Sequence, residues 1–198
     1  MSSNMEIIVA TNNAGKIKEI KKILEPIGIK ALSLDDINLD IDVVEDRDTL
    51  EGNAEKKATE IMEIVGKPVL ADDSGLFVDA LDGRPGVYSK RYAGGDSHQG
   101  NLKLLAELEG VPEEKRTAHF KSVICLAFPG ESVLLAEGKL EGLIQHEEKG
   151  SNGFGYDPIF YLPQRGITLA EASNETKNQI SHRALALEKL KETLLDRL

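Results

Sequence analysis

Apolar positions repeat along this chain with two different periods. Near residues 6–11, 29–34, 68–72, 76–80, 117–128, 132–140 and 158–161 they run together or alternate, as strands do. Near 16–25, 49–65, 97–109 and 181–197 they recur every third or fourth residue, as helices do. Ile17, Ile20, Ile23 and Leu24 make one apolar stripe. Leu50, Ala54, Ala58, Ile61 and Val65 make a second, and Leu187, Leu190 and Leu194 a third. Helices interleaved with strands at the start predict an α/β sheet. The runs from Thr117 to Leu140, turned at Pro129-Gly130-Glu131, predict an antiparallel pair. The expected architecture is a mixed sheet covered by helices.

A length of 198 residues fits one domain, or one domain with two lobes. Residues Met1–Asn4 read as a flexible extension ahead of a natural start at Met5. No run approaches the roughly 18 apolar residues of a membrane span, and no basic segment leads into an apolar one as in a secretory signal. The single cysteine, Cys125, excludes an internal disulfide framework. It sits mid-strand away from basic residues, which reads as a buried, inert thiol. A cytoplasmic protein is expected. The net charge of -10 argues against a nucleic-acid or anionic-membrane partner. A small anion remains compatible, provided Lys, Arg, helix N-termini or a metal gather locally.

Four clusters carry candidate chemistry. The first is Thr11-Asn12-Asn13-Ala14-Gly15-Lys16, between a strand and a helix. It fails the common P-loop pattern, having Ala10 and Ile17 where Gly and Ser or Thr belong. Its short polar side chains, Gly15, Lys16 and the helix start still suit a phosphate. An ordinary Asn-capped turn reads equally well. The second is Leu70–Tyr92, where Asp72 and Asp73 end an apolar strand before Ser74-Gly75 turns the chain. Strand alternation aims one carboxylate into a site and the other away. The third, Lys149–Phe160, is rich in glycine and offers Phe154 or Tyr156 to a flat ring; a plain hairpin is the alternative. In the fourth, Glu175–Leu190, Ser181 caps a helix that starts with His182 and Arg183, near Lys177. The acidic segment Asp35–Asp48 reads mainly as a solvated loop that can hide a metal ligand.

Together these clusters resemble one family, the inosine triphosphate pyrophosphatases, which act on non-standard purine nucleoside triphosphates. The matching stretches are TNNAGK at 11–16, NAEKKA at 53–58, ADDSGL at 71–76, GRPGVYSKRY at 83–92, GFGYDPIF at 153–160 and ISHR at 180–183. They keep the family's order and span nearly the whole chain. The resemblance implies an elongated mixed sheet flanked by helices, with two lobes and the active site in the cleft between them. It implies hydrolysis of ITP, dITP and XTP to the monophosphate and pyrophosphate with Mg2+, by a homodimer. By similarity, the loop Thr11, Asn12, Asn13, Ala14, Gly15 and Lys16 holds phosphates, helped by Asn53 and Lys57. Glu45 matches the metal position, with Asp46 or Asp48 as alternatives. Asp73, rather than Asp72, matches the catalytic carboxylate and also a metal ligand, and Ser74 lies beside the substrate. Phe154, Gly155, Tyr156, Asp157, Lys177, His182 and Arg183 match the base-recognition set. Lys90 stands where many members have Ala, and Asn12 where many have Gly.

In that reading, water attacks the α-phosphorus, Asp73 takes its proton or binds metal, and Lys16 and Lys57 stabilise departing pyrophosphate. A pyrophosphatase for pyrimidine or modified nucleotides on a similar fold is the nearer rival, opposed by FGYDP and ISHR. A nucleotide-binding protein without hydrolysis is the rival from another class, opposed by Asp73 and the acidic loop.

Overall fold

The computed structural model describes residues 5–92, 94 and 96–197, so the expected extension at 1–4 lies outside the described residues. Seven strands form one sheet in the order β2-β1-β3-β4-β5-β6-β7. They are β1 Met5–Val9, β2 Ile29–Ser33, β3 Val69–Val78, β4 Thr117–Ala127, β5 Leu134–Ile144, β6 Phe160–Leu162 and β7 Ile167–Thr168. Strand β1 pairs in parallel with β2 and β3, while β5–β6 and β6–β7 are antiparallel. The link at 128–133 between neighbours β4 and β5 is too short for a parallel crossover. The sheet is therefore mixed, open and flanked by helices. These are α1 Ala14–Leu24, α2 Leu50–Val65, α3 Ser97–Glu107, α4 Asn174–Ile180 and α5 His182–Arg197.

By contacts the chain divides into two compact units. The first contains residues up to Asp73, Ser122–Gly138 and Arg183–Leu198; the second contains Ser74–Lys121 and Lys139–His182. In the first, Ile7 and Val9 of β1 and Ile29 of β2 are buried with Ile20 and Leu24 of α1 and Leu187, Leu190 and Leu194 of α5. The predicted apolar stripes are thus the buried faces. Cys125 is free and fully buried, and burial pushes its thiol up to about 12, as expected of an inert cysteine. In the second unit Leu76, Val78, Leu104, Leu108, Phe120, Ile159 and Phe160 make a separate core.

One local expectation is overturned. Ser74-Gly75 does not turn the chain: β3 runs unbroken through it. A Cβ at Gly75 would collide with the carbonyl of Gly86. The glycine therefore serves a close backbone approach rather than a bend. Strand β7 and helix α4 are both too short to register as a period.

Candidate active site

The phosphate-loop candidate opens α1. Asn13 caps the helix, its Oδ1 accepting from the Lys16 amide at 3.1 Å, and Thr11 Oγ1 accepts from the Asn13 amide at 3.1 Å. The loop is thus the Asn-capped turn, one of the two alternatives read from the sequence, and its residues 12–15 are exposed. Lys16 reaches back to β3, where its Nζ donates to Asp72 Oδ2 at 3.0 Å.

Asp72 is the hub of the first unit's charges. Its side chain is 3% exposed. Besides Lys16 it faces Arg183 Nε at 3.6 Å, and the same guanidinium places Nη1 2.9 Å from Glu19 Oε2. Burial works to raise the Asp72 carboxyl. Lys16, Arg183 and Lys57 outweigh it and hold the group well below the usual carboxylate range. Strand alternation separates the two carboxylates without saying which enters a site, and the family resemblance assigns the chemistry to Asp73. Asp72 is buried and pairs with the lysine assigned to the phosphates.

Asp73, half-buried, is pushed the other way, to about 6. Burial is the largest cause and the negative charge of Glu45 the next; Lys57 and a hydrogen bond with the Asn53 side chain oppose them. Helix α2 arranges these neighbours. Lys57 Nζ donates to the Asp72 carbonyl at 2.7 Å and lies 2.8 Å from Glu45 Oε1. Burial works to lower the Lys57 ammonium, but Asp72 and Glu45 raise it, so it stays charged. Asn53 Oδ1 accepts from the Arg47 amide at 2.9 Å, and Lys56 Nζ donates to the Val44 carbonyl at 2.7 Å and to Asp46 Oδ1 at 2.8 Å. One face of α2 therefore staples the acidic loop. Of its carboxylates, Asp46 is taken by Lys56, while Glu45 is the one whose charge reaches Asp73. Among the described residues no three His, Cys, Asp or Glu side chains cluster closely enough to hold a metal ion.

The second unit holds the glycine-rich candidate. Gly153 has φ +98, and a Cβ there would land on Asp157 Oδ2 and Lys177 Nζ. Without it, Asp157 Oδ2 accepts from the Phe154 amide at 3.2 Å and from Lys177 Nζ at 2.8 Å. Lys177 Nζ also lies 5.7 Å from the centre of the Phe154 ring, a cation–π distance. Phe154 is 57% exposed. Tyr156 packs on the second core and donates its hydroxyl to the Ser89 carbonyl at 2.6 Å. Burial pushes its phenol up to about 12. Of the two aromatics offered for stacking, only Phe154 thus presents an open ring. The His182 ring stacks on Phe120 at 4.8 Å, half-buried, at the first residue of α5 as predicted. Ser74 is half-buried on β3.

Sequence reasoning missed the Asp157–Lys177 pair and the role of Glu19. Both depend on tertiary contacts between residues far apart in the chain, and no local period signals them.

Known proteins resemble this chain in both sequence and fold. A model of the Ham1 family matches residues 7–193. The chain is 48% identical over 191 residues to the dITP/XTP pyrophosphatase of Bacillus subtilis, covering 96% of each chain. It is 50% identical over 192 residues to the dITP/XTP pyrophosphatase of Desulforamulus reducens, again covering 96% of each. The Ham1 protein of Staphylococcus aureus superposes with a TM-score of 0.90 at 39% identity, covering 98% of this chain and all of that one.

Proposed function

The chain belongs to the Ham1 family, and from that membership we propose how its residues act. It is a nucleoside triphosphate pyrophosphatase, a hydrolase of acid anhydrides, that cleaves the non-standard purine nucleotides ITP, dITP and XTP to monophosphate and pyrophosphate. The observation that carries the mechanism is the split between two adjacent carboxylates, one held ionised by Lys16 and Arg183 and one raised to about 6.

Water attacks the α-phosphorus and Asp73 accepts its proton. A carboxyl at about 6 is a stronger base than an ordinary aspartate and remains mostly ionised at neutral pH. Lys57 lies beside it and Lys16 across Asp72, so two ammonium groups face the charge that develops on pyrophosphate. The loop Thr11–Gly15 and the first amides of α1 bind phosphate oxygens, and Ser74 lies next to the reacting group. This basic set explains how an acidic chain binds a polyanion.

Glu45 and Asp73 suit Mg2+, because two carboxylates leave most positions of an octahedral ion to water and phosphate oxygens. When bound, Mg2+ supplies neutralisation of the triphosphate charge. Asn53 and Lys57 hold these carboxylates in place.

Phe154 supplies a stacking face for the purine. Lys177, His182, Arg183 and the amides around Gly155 and Asp157 supply donors for the 6-carbonyl that hypoxanthine and xanthine carry and adenine lacks. Arg183 also belongs to the charge cluster, since its guanidinium is shared with Glu19 and Asp72. We place the protein in the cytoplasm as a homodimer; no described helix is long and apolar enough to cross a membrane. The test is a panel of ITP, XTP, GTP and ATP with Mg2+ and product analysis. Monophosphate plus pyrophosphate from ITP and XTP is expected, and a diphosphate plus inorganic phosphate would place the cut at the γ-bond and overturn the mechanism.

A further inference from the structure

The turn that carries Phe154 is fastened by a residue outside the substrate-binding set. Asn101, in α3, is 1% exposed. It stands on the face that also buries Leu104 and Leu108, where a further apolar residue would be expected. Its Nδ2 donates to the Gly155 carbonyl at 3.1 Å and to Glu148 Oε1 at 2.9 Å. Both neighbours are acceptors, which orients the amide. Asn101 Oδ1 is buried with no partner among the described residues, so the side chain grips its surroundings through Nδ2 alone. Glu148 is itself braced: its other oxygen lies 2.9 Å from His98 Nδ1, one turn earlier on α3. The Asp96 cap of that helix accepts from the His98 and Gln99 amides.

Gly155 sits between Phe154 and the Asp157 carboxylate that receives the Phe154 amide and Lys177. The neighbouring Tyr156 is fixed at its hydroxyl by Ser89. Holding the Gly155 carbonyl therefore sets the height of the short segment on which the exposed ring and the ion pair depend. We propose that Asn101 is a positioning residue for base selection, fixing the 153–157 turn through Gly155 from an anchor on Glu148. This rests on the assignment of that turn to the purine base.

The experiment compares Asn101→Leu, the double variant Asn101→Asp with Glu148→Gln, and Lys177→Ala. The readouts are kcat/KM for ITP and ATP, melting temperature, and hydrogen exchange of the Phe154 and Asp157 amides. Asn101→Leu is expected to lower the ITP-to-ATP preference about tenfold, the scale of one lost buried hydrogen bond. The loss falls mainly on KM for ITP, and exchange at the two amides speeds up. In the double variant the new carboxamide at 148 donates to the new carboxylate at 101. That restores the helix anchor but leaves Gly155 facing an acceptor. Its melting temperature is expected to recover while the preference stays low. Should Asn101→Leu fail to fold, the double variant carries the same comparison. Recovery of both quantities in the double variant overturns the proposal. So does an unchanged preference in Asn101→Leu when Lys177→Ala lowers it. An unchanged preference in every variant removes the assignment of the turn to the base, and the proposal with it.

Discussion

The charge cluster of the first unit and the glycine turn of the second reach definition by opposite means. In the first, Lys16, Glu45, Lys57, Asp72, Asp73 and Arg183 are charged side chains, and their mutual arrangement shifts the protonation of Lys57, Asp72 and Asp73. In the second, backbone conformation, one ion pair and a few hydrogen bonds set a shape. In the proposed mechanism the first region controls chemistry and the second controls fit. The contrast is sharpest between Asp72 and Asp73. Adjacent on β3 and both withdrawn from water, they are pushed in opposite directions: burial raises both, but at Asp72 the charges of Lys16, Arg183 and Lys57 outweigh it, while at Asp73 the charge of Glu45 adds to it.

The largest effect expected is from metal removal. Chelation should abolish turnover and leave the melting temperature unchanged, because two carboxylates make too small a set to hold Mg2+ as a structural ion. A melting curve with and without chelator checks this, and a large fall in melting temperature contradicts it. Next comes the carboxylate pair. Asp73→Asn should lower kcat about 10²–10⁴-fold, the usual contribution of a general base, with the fold intact. Asp72→Asn leaves Lys16 and Arg183 without their buried partner. It should cost about 3 kcal/mol of stability, or roughly 6–12 °C in melting temperature, and less catalysis. Equal kinetic losses in two equally stable variants would erase the distinction.

Much of the first region was legible in the sequence. The strand–loop–helix layout and Asn13 as a cap follow from composition and period, and the placement of Asn53 and Lys57 follows from i,i+4 spacing. Family resemblance pointed to Glu45, with Asp46 or Asp48 as alternatives; in the fold Lys57 pairs with Glu45 and Lys56 with Asp46. Less was legible where the answer is tertiary. Alternation along β3 separates the two aspartates but says nothing of Lys16 and Arg183 reaching Asp72. A glycine in a strand resembles a turn until the Gly86 carbonyl is seen to occupy its Cβ position. The Gly153 site is similar, because its meaning lies in Asp157 and Lys177, the latter far along the chain.

Gly153→Ala tests the second region on its own terms. The added methyl must displace the Asp157–Lys177 pair, and the backbone at φ +98 resists any side chain. Strain of about 1–2 kcal/mol corresponds to roughly a tenfold change in an equilibrium. KM for ITP should rise about tenfold with kcat nearly kept. A selective fall in kcat instead would mean that this turn serves the chemistry.

The smallest effect expected follows from the sign of the Asp73 shift. Its folded carboxyl titrates near 6, against an ordinary value of 3.8. Between those values the folded state binds more protons than the unfolded state, so the stability linked to this group is present in acid and is lost as pH rises through about 6. Above that range Asp73 is a buried charge beside Glu45, which burdens the fold. Asp73→Asn removes the charge. The corresponding gain is at most about 3 kcal/mol for a fully buried group. At this half-buried position solvent screening reduces it to about 1 kcal/mol, or roughly 2–4 °C. The variant should therefore melt a few degrees above the parent at pH 8 and lose about half of that advantage at pH 5. In a Glu45→Gln background the pH 8 gain should shrink, because the second cause of the shift is gone. Melting curves of the four proteins at both pH values decide it. A variant less stable than its parent at pH 8, or a gain that ignores pH, would mean that Asp73 carries no burial cost and that its readiness as a base has another origin.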